Sequence, residues 1–120
     1  MPISEVFKER RRARGSTPKG VMNKLEASYA AELDLRKAAG KIYAWEYESV
    51  TFKLAPRTTY TPDFLVIMAD MTLEFVETKG FERDDAIAKF KIAGAQFPYF
   101  RFLMVKRKGR GFEVTRDSRA

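Results

Sequence analysis

The stretch YTPDFLVIMADMTLEFVETKG, residues 60–80, constrains this chain more than any other. Two runs rich in β-branched, aromatic and aliphatic residues flank a short break at Ala69, Asp70 and Met71, the pattern of a β-hairpin. Strand side chains alternate between faces, so the register of the pair decides which of them share a core. A three-residue loop over 69–71, centred on Asp70, sets Ile67 opposite Leu73 and Leu65 opposite Phe75, which keeps four large apolar side chains together. A loop of even length would set Asp63 opposite Thr78 and turn it to the other face. The odd register carries Asp63 opposite Glu77, and Lys79, one alternation further on, falls on their face. An apolar stripe then ends in two facing carboxylates and an amine.

Like charges directly opposite each other destabilise a sheet, and desolvation at the edge of a core adds to the cost. A divalent cation between Asp63 and Glu77 would offset both, whereas Lys79 alone could neutralise only one carboxylate. A plainer reading makes Asp63 a turn residue after Pro62 and leaves Glu77 and Lys79 as a surface ion pair. Glu26 counts against it, because this acid falls within the apolar stripe of the preceding helix and can supply a third carboxylate to the same edge.

The helix in question is predicted over 21–39, a segment rich in Ala, Leu, Glu and Lys that ends at Gly40, with Met22, Leu25, Tyr29 and Leu33 on its buried stripe. Residues 41–54 alternate and predict a strand or a bent pair of strands, and APRTT predicts a turn. A second helix is expected over 83–96, stopped by Pro98, then a strand over 99–107, a basic KGRG turn and a short final strand at GFEVT. The order of helix, three strands, helix, strand and short strand implies an α/β protein of the α+β type, with a mixed central sheet flanked by helices. One domain over 21–120 would follow a basic, flexible arm over 1–20.

The chain has neither cysteine nor histidine, which excludes disulfides, thiolate or imidazole zinc sites and histidine-dependent catalysis. Carboxylates, lysine, hydroxyls and a hard cation bound through oxygen remain. A net charge of +7 and a pI near 9.8 point to a polyanionic partner, nucleic acid foremost. Phosphate contacts are expected from Arg10, Arg11, Arg12, Arg14 and Lys19, from Lys89 and Lys91 on the second helix, and from Lys106, Arg107, Lys108 and Arg110. The helix lysines read equally as a solvated face. Such contacts fix position without reading sequence, and no helix-turn-helix, zinc finger or stacking motif is present to read it. No apolar run approaches the roughly 18 residues of a membrane helix, and charges stand where a signal peptide would be apolar, so no membrane partner and a cytoplasmic location are expected.

Pro62-Asp63 followed by Glu77-Thr78-Lys79 has the form PD…ExK and resembles the signature of the PD-(D/E)xK nuclease superfamily. Around it, NKLEASYAAELDLRKAAGKI, VTFKL, YTPDF, EFVETKGF and a helix containing KFK resemble a family of small phage-encoded nucleases, similar in plan to phage endonuclease I-type junction resolvases. The resemblance covers roughly residues 22–107. It implies a restriction-endonuclease-like core of order α-β-β-β-α-β, with Asp63 and Glu77 as metal ligands, Lys79 as the catalytic lysine and Glu26 as the catalytic acid of the first helix, which could bind a second ion or a metal-bound water. Thr78 stands where many relatives carry Val or a similar β-branched residue, and would contribute only its backbone carbonyl. The ion implied is Mg2+, with Mn2+ as a substitute. The activity implied is hydrolysis of DNA to 5′-phosphate ends, selective for branched or junction structure, in phage recombination or DNA processing inside a bacterial host. Cutting paired strands calls for a homodimer, and Tyr43, Trp45, Tyr47, Tyr99 and Phe100 are either its interface or core. A noncatalytic nucleic-acid-binding module that keeps the nuclease fold, and an RNA-directed nuclease, use the same residues and stay open.

Overall fold

The computed structural model describes residues 20–79 and 84–120. The first helix, α1 (Lys24–Ala38), starts later than its pattern because Asn23 caps it. The Asn23 side chain accepts the Glu26 N–H at 2.8 Å, and the Glu26 carboxylate accepts the Asn23 N–H at 2.9 Å, a capping box. The helix ends as expected at Gly40, whose φ of +75° lets Lys41 donate back to the Arg36 carbonyl at 2.9 Å. Seven strands and a second helix follow: β1 (Ile42–Tyr47), β2 (Phe52–Ala55), β3 (Thr58–Tyr60), β4 (Phe64–Met68), β5 (Leu73–Thr78), α2 (Asp84–Gln96), β6 (Arg101–Lys108) and β7 (Gly111–Asp117). Five strands form one sheet in the order β1-β4-β5-β6-β7, and β2 pairs with β3 separately. Neighbours in the large sheet are antiparallel except β5 and β6, which the α2 crossover joins in parallel. Among the described residues the fold is therefore α+β, with a mixed five-stranded sheet and two helices.

Residues 41–54 form the bent pair of strands rather than the single one: they part company at Glu48, a non-glycine residue at φ 50°, so that β1 enters the large sheet and β2 does not. APRTT is only in part a turn: Thr58 already pairs with Ala55 around Arg57 at φ 60°, and the β-branched Thr58 and Thr59 continue as β3. Five strands thus precede α2 rather than three. The last strand is also longer than GFEVT, running to Asp117.

Each face of the sheet buries its alternate residues under one helix. Phe64, Val66, Val76, Leu103 and Val105 pack with Tyr29, Ala30 and Leu33 of α1. Leu65, Phe75, Phe102 and Met104 pack with Phe90, Ala93 and Phe97, and the β2–β3 hairpin closes that side with Phe52, Leu54 and Tyr60. Phe52 sits edge-on to Phe75 at 4.8 Å and to Phe102 at 5.2 Å, and burial of such a ring contributes roughly 1.5–3 kcal/mol.

The hairpin of β4 and β5 takes the expected register: Ile67 pairs with Leu73 and Leu65 with Phe75, and all four side chains belong to one core. Its loop is odd. Met71 donates to Met68 O at 2.9 Å and adopts φ 71°, after which Met68 N–H meets Thr72 O at 2.8 Å. Asp70 accepts the Thr72 N–H and hydroxyl at 3.0 and 2.6 Å, which fixes the turn.

Candidate functional site

The pairings bring four segment ends to one end of the sheet. Tyr47 at the end of β1 faces Phe64 at the start of β4, and Thr78 at the end of β5 faces Val105 of β6. Asp63, Lys79 and Glu48 lie just beyond those last pairs, and the first turn of α1 reaches the same corner through Tyr47, whose hydroxyl donates to Glu26 Oε1 at 2.9 Å.

Asp63 is the centre of this corner and is only 3% exposed. It precedes β4 by one residue, so strand alternation does not govern where its side chain goes. Its backbone is held on both sides: the Glu48 N–H donates to Asp63 O at 2.8 Å, and the Asp63 N–H donates to Glu77 Oε1 at 3.2 Å. Its side chain turns towards Thr78, which donates both its N–H and its hydroxyl to Asp63 Oδ2, at 2.9 and 2.8 Å. Glu77 and Thr78 thus both bond Asp63, Glu77 at its backbone N–H and Thr78 at its side chain. Burial pushes the Asp63 carboxyl well above the usual aspartate range, and the charges of Glu77 and then Glu26 push it the same way. The two Thr78 hydrogen bonds pull in the opposite direction. The sequence-predicted acids therefore act on one another, as a buried anionic corner requires.

Glu26 is also 3% exposed, and its Oε1 serves both the helix cap and the Tyr47 hydroxyl. Lys79 is half-buried; its N–H extends the ladder by donating to Val105 O at 2.9 Å, and it makes no ion pair among the described residues. Thr78 does more than offer a carbonyl, since its hydroxyl orients Asp63. Glu48 was not among the residues read as functional, yet it is buried, left-handed and bonded to the Asp63 carbonyl. Its one signal in the sequence is the Glu-Ser pair that interrupts an otherwise β-rich run.

Because Val105 is opposite Thr78, the residues after it extend past the carboxylate corner as a basic ribbon. Lys106, Lys108 and Arg110 are exposed there, and Glu113 bridges Lys106 and Lys108 with both contacts at 3.3 Å. The Arg107 guanidinium covers the Phe112 ring at 5.3 Å. On α2, Lys89 is half-buried and Lys91 exposed, and Lys91 lines a different cleft of about 470 Å³ with Gly94, Thr115, Arg116 and Ser118. Arg10, Arg11, Arg12, Arg14 and Lys19 lie outside the described residues. Of the aromatics considered for an interface, Tyr43 and Tyr99 are exposed, Tyr47 and Phe100 pack against the two cores, and Trp45 is half-buried with its indole N–H on Asp34 at 2.8 Å.

Asp63 and Glu77 carry oxygen donors only, the kind a hard cation takes, and among the described residues no group of three or more acidic side chains is placed to hold a metal ion. Mg2+ suits such a set, because it keeps several waters and binds through one or two carboxylates together with substrate phosphate. No helix among the described residues is long and apolar enough to cross a membrane. Compared with known proteins, the chain matches no family model, no curated protein and no solved structure.

Proposed function

We propose that the protein is a Mg2+-dependent endonuclease that hydrolyses DNA phosphodiesters, with Mn2+ able to substitute. The observation that carries this reading is the buried Asp63 carboxylate, pressed by Glu77 of β5 and by Glu26 from the first turn of α1, with Lys79 two residues beyond Glu77. A restriction-endonuclease-like core is the corresponding fold. Taking β2–β3 as an insertion, α1, β1, β4, β5, α2 and β6 run in the order α-β-β-β-α-β that the PD…ExK resemblance implies.

In this reading Asp63 and Glu77 hold the ion, with the Thr78 carbonyl beside them. When bound, Mg2+ supplies Lewis-acid polarisation of the scissile phosphate. Lys79 offers a positive charge and hydrogen-bond donors to the oxyanion that develops on phosphorus, and Glu26 keeps the corner anionic enough to favour a cation. The ribbon bearing Lys106, Arg107, Lys108 and Arg110 supplies salt-dependent contacts to the DNA backbone. Nothing in it reads bases, so selectivity for branched or junction structure is the natural specificity, with a homodimer delivering two cuts and leaving 5′-phosphates. A role in phage DNA processing in the cytoplasm of a host cell follows from the same resemblance.

Plasmid and four-way-junction substrates, incubated with and without Mg2+, test it. The wild type is expected to cut only with the metal, to prefer the junction, and to lose cutting on Asp63→Ala or Lys79→Ala. Metal-dependent cutting that survives both substitutions would remove the site assignment. Tight DNA binding with no cutting of any substrate would make the protein a binding module, and cleavage of RNA alone would make it an RNA-directed nuclease.

A further inference from the structure

We propose that the Thr78 side chain is a positioning residue that sets the orientation of the Asp63 carboxylate. This role is separate from the carbonyl that the nuclease reading gives the same residue. It rests on that reading only for the purpose of the carboxylate, not for its placement.

Three observations carry it. First, the Asp63 backbone is held by Glu48 on its carbonyl and Glu77 on its N–H, so Thr78 acts on the side chain of a residue whose main chain is already placed. Second, Thr78 alone gives Oδ2 two donors, its N–H at 2.9 Å and its hydroxyl at 2.8 Å. The first is placed by the β5–β6 ladder, where Thr78 pairs with Val105, and the second by a single stiff χ1 rotor. Two donors converging on one oxygen resist rotation of the carboxylate plane, which one donor alone would permit. Third, Thr78 is only 9% exposed at the end of a strand whose other buried members, Phe75 and Val76, are apolar. Valine would satisfy the strand and the packing at this position equally well. A buried hydroxyl carries a desolvation cost unless it is bonded, and the bond it makes is to Asp63. The hydroxyl therefore has a geometric use, which is to fix the direction of the Asp63 carboxylate in the corner.

Thr78→Val and Thr78→Ser, made in the full chain, separate this from a packing role. Valine preserves shape and removes the donor; serine restores the donor and removes a methyl. The first readout is Mn2+ affinity, measured by titration calorimetry without nucleic acid. Loss of a residue that orients a ligand costs about 10- to 100-fold in metal affinity, so Thr78→Val is expected in that range and Thr78→Ser within a few-fold of wild type. The second readout needs no metal: crystal structures of the metal-free variants are expected to show Asp63 in one orientation in the wild type and Thr78→Ser, and rotated or split in Thr78→Val. A single unchanged Asp63 conformer in Thr78→Val, or serine failing to rescue what valine loses, overturns the proposal. A wild type that binds no Mn2+, with Asp63 still rotated in Thr78→Val, would instead overturn the metal-centre reading and leave the positioning role standing.

Discussion

Glu77 Oε1 accepts the backbone N–H of Asp63 at 3.2 Å, which sets one acid against a second that is almost wholly buried. Burial, Glu77 and Glu26 together raise the folded-state pKa of Asp63 above its ordinary value, and the sign of the consequence follows from linkage. Between roughly pH 4 and the raised folded value, the native protein keeps a proton that the unfolded chain has released. Stability is then full below that window and falls as pH rises through it. Asp117, held below the ordinary range by Arg101, works in the opposite sense, so the comparison of wild type with Asp63→Asn isolates the Asp63 contribution. In metal-free buffer, thermal unfolding followed from pH 4 to 8 is expected to decline more steeply with pH in the wild type than in Asp63→Asn. At neutral pH the variant is expected to be the more stable of the two. Millimolar Mg2+ should raise the wild-type melting temperature at neutral pH and leave Asp63→Asn unmoved.

Glu26 has two roles that substitution can separate. Its Oε1 closes the capping box and accepts the Tyr47 hydroxyl, so Glu26→Ala removes both and is expected to cost about 1–2 kcal/mol. Glu26→Gln keeps an oxygen in the same place and should unfold within about 0.5 kcal/mol of wild type. It removes the charge that acts on Asp63, however, and DNA cutting is expected to fall by about 10-fold or more. Denaturation and plasmid nicking, measured on both variants, decide it. Cutting at the wild-type rate by Glu26→Gln would reduce Glu26 to a helix cap.

The hairpin register was legible because only one parity of loop unites Ile67, Leu65, Leu73 and Phe75, and that parity also brought Asp63 and Glu77 together. Glu26 was legible for a similar reason: a charge within an apolar helical stripe needs a partner. Periodicity speaks of residues inside ladders and helices, and it falls silent where ladders end. Asp63 lies one step outside its ladder, so its turn towards Thr78 could not be read, and the role of the Thr78 hydroxyl was missed with it. Glu48 escaped because the Glu-Ser break in a β-rich run marks an interruption but not the left-handed backbone that sets Glu48 against Asp63. The same residue hid the division of 41–54 into two sheets, and Pro56 next to Arg57 made β3 look like the rest of a turn.

Met71 offers a direct test of the loop. It is 57% exposed and holds φ 71°, a conformation that costs a side-chain-bearing residue roughly 1–2 kcal/mol and glycine nothing. Glycine gives back part of that in the entropy of the unfolded chain. Met71→Gly is therefore expected to stabilise the protein by about 0.5–1 kcal/mol in urea denaturation, with cutting unchanged. Met71→Val, β-branched in the same conformation, should lose stability instead.

Gly94 should reverse the usual rule for glycine in a helix. In an open position within α2, alanine would gain about 0.5–1 kcal/mol over glycine. Here a Cβ would lie 2.9 Å from the Ser118 Cβ, closer than two carbons can approach. Ser118 cannot readily yield, because its N–H donates to Phe102 O at 2.9 Å and its Oγ accepts the Phe102 N–H at 2.9 Å. The end of the chain is thereby pinned between α2 and β6. Gly94→Ala is expected to cost about 1–3 kcal/mol, as overpacking does. Ser118→Gly relieves the contact but leaves the Phe102 N–H without that acceptor, so it is destabilising alone. In its background Gly94→Ala should cost less, with a coupling of about 1 kcal/mol in a double-mutant cycle followed by urea denaturation. Additive effects of the two changes would mean that Ser118 is not what excludes a side chain from position 94.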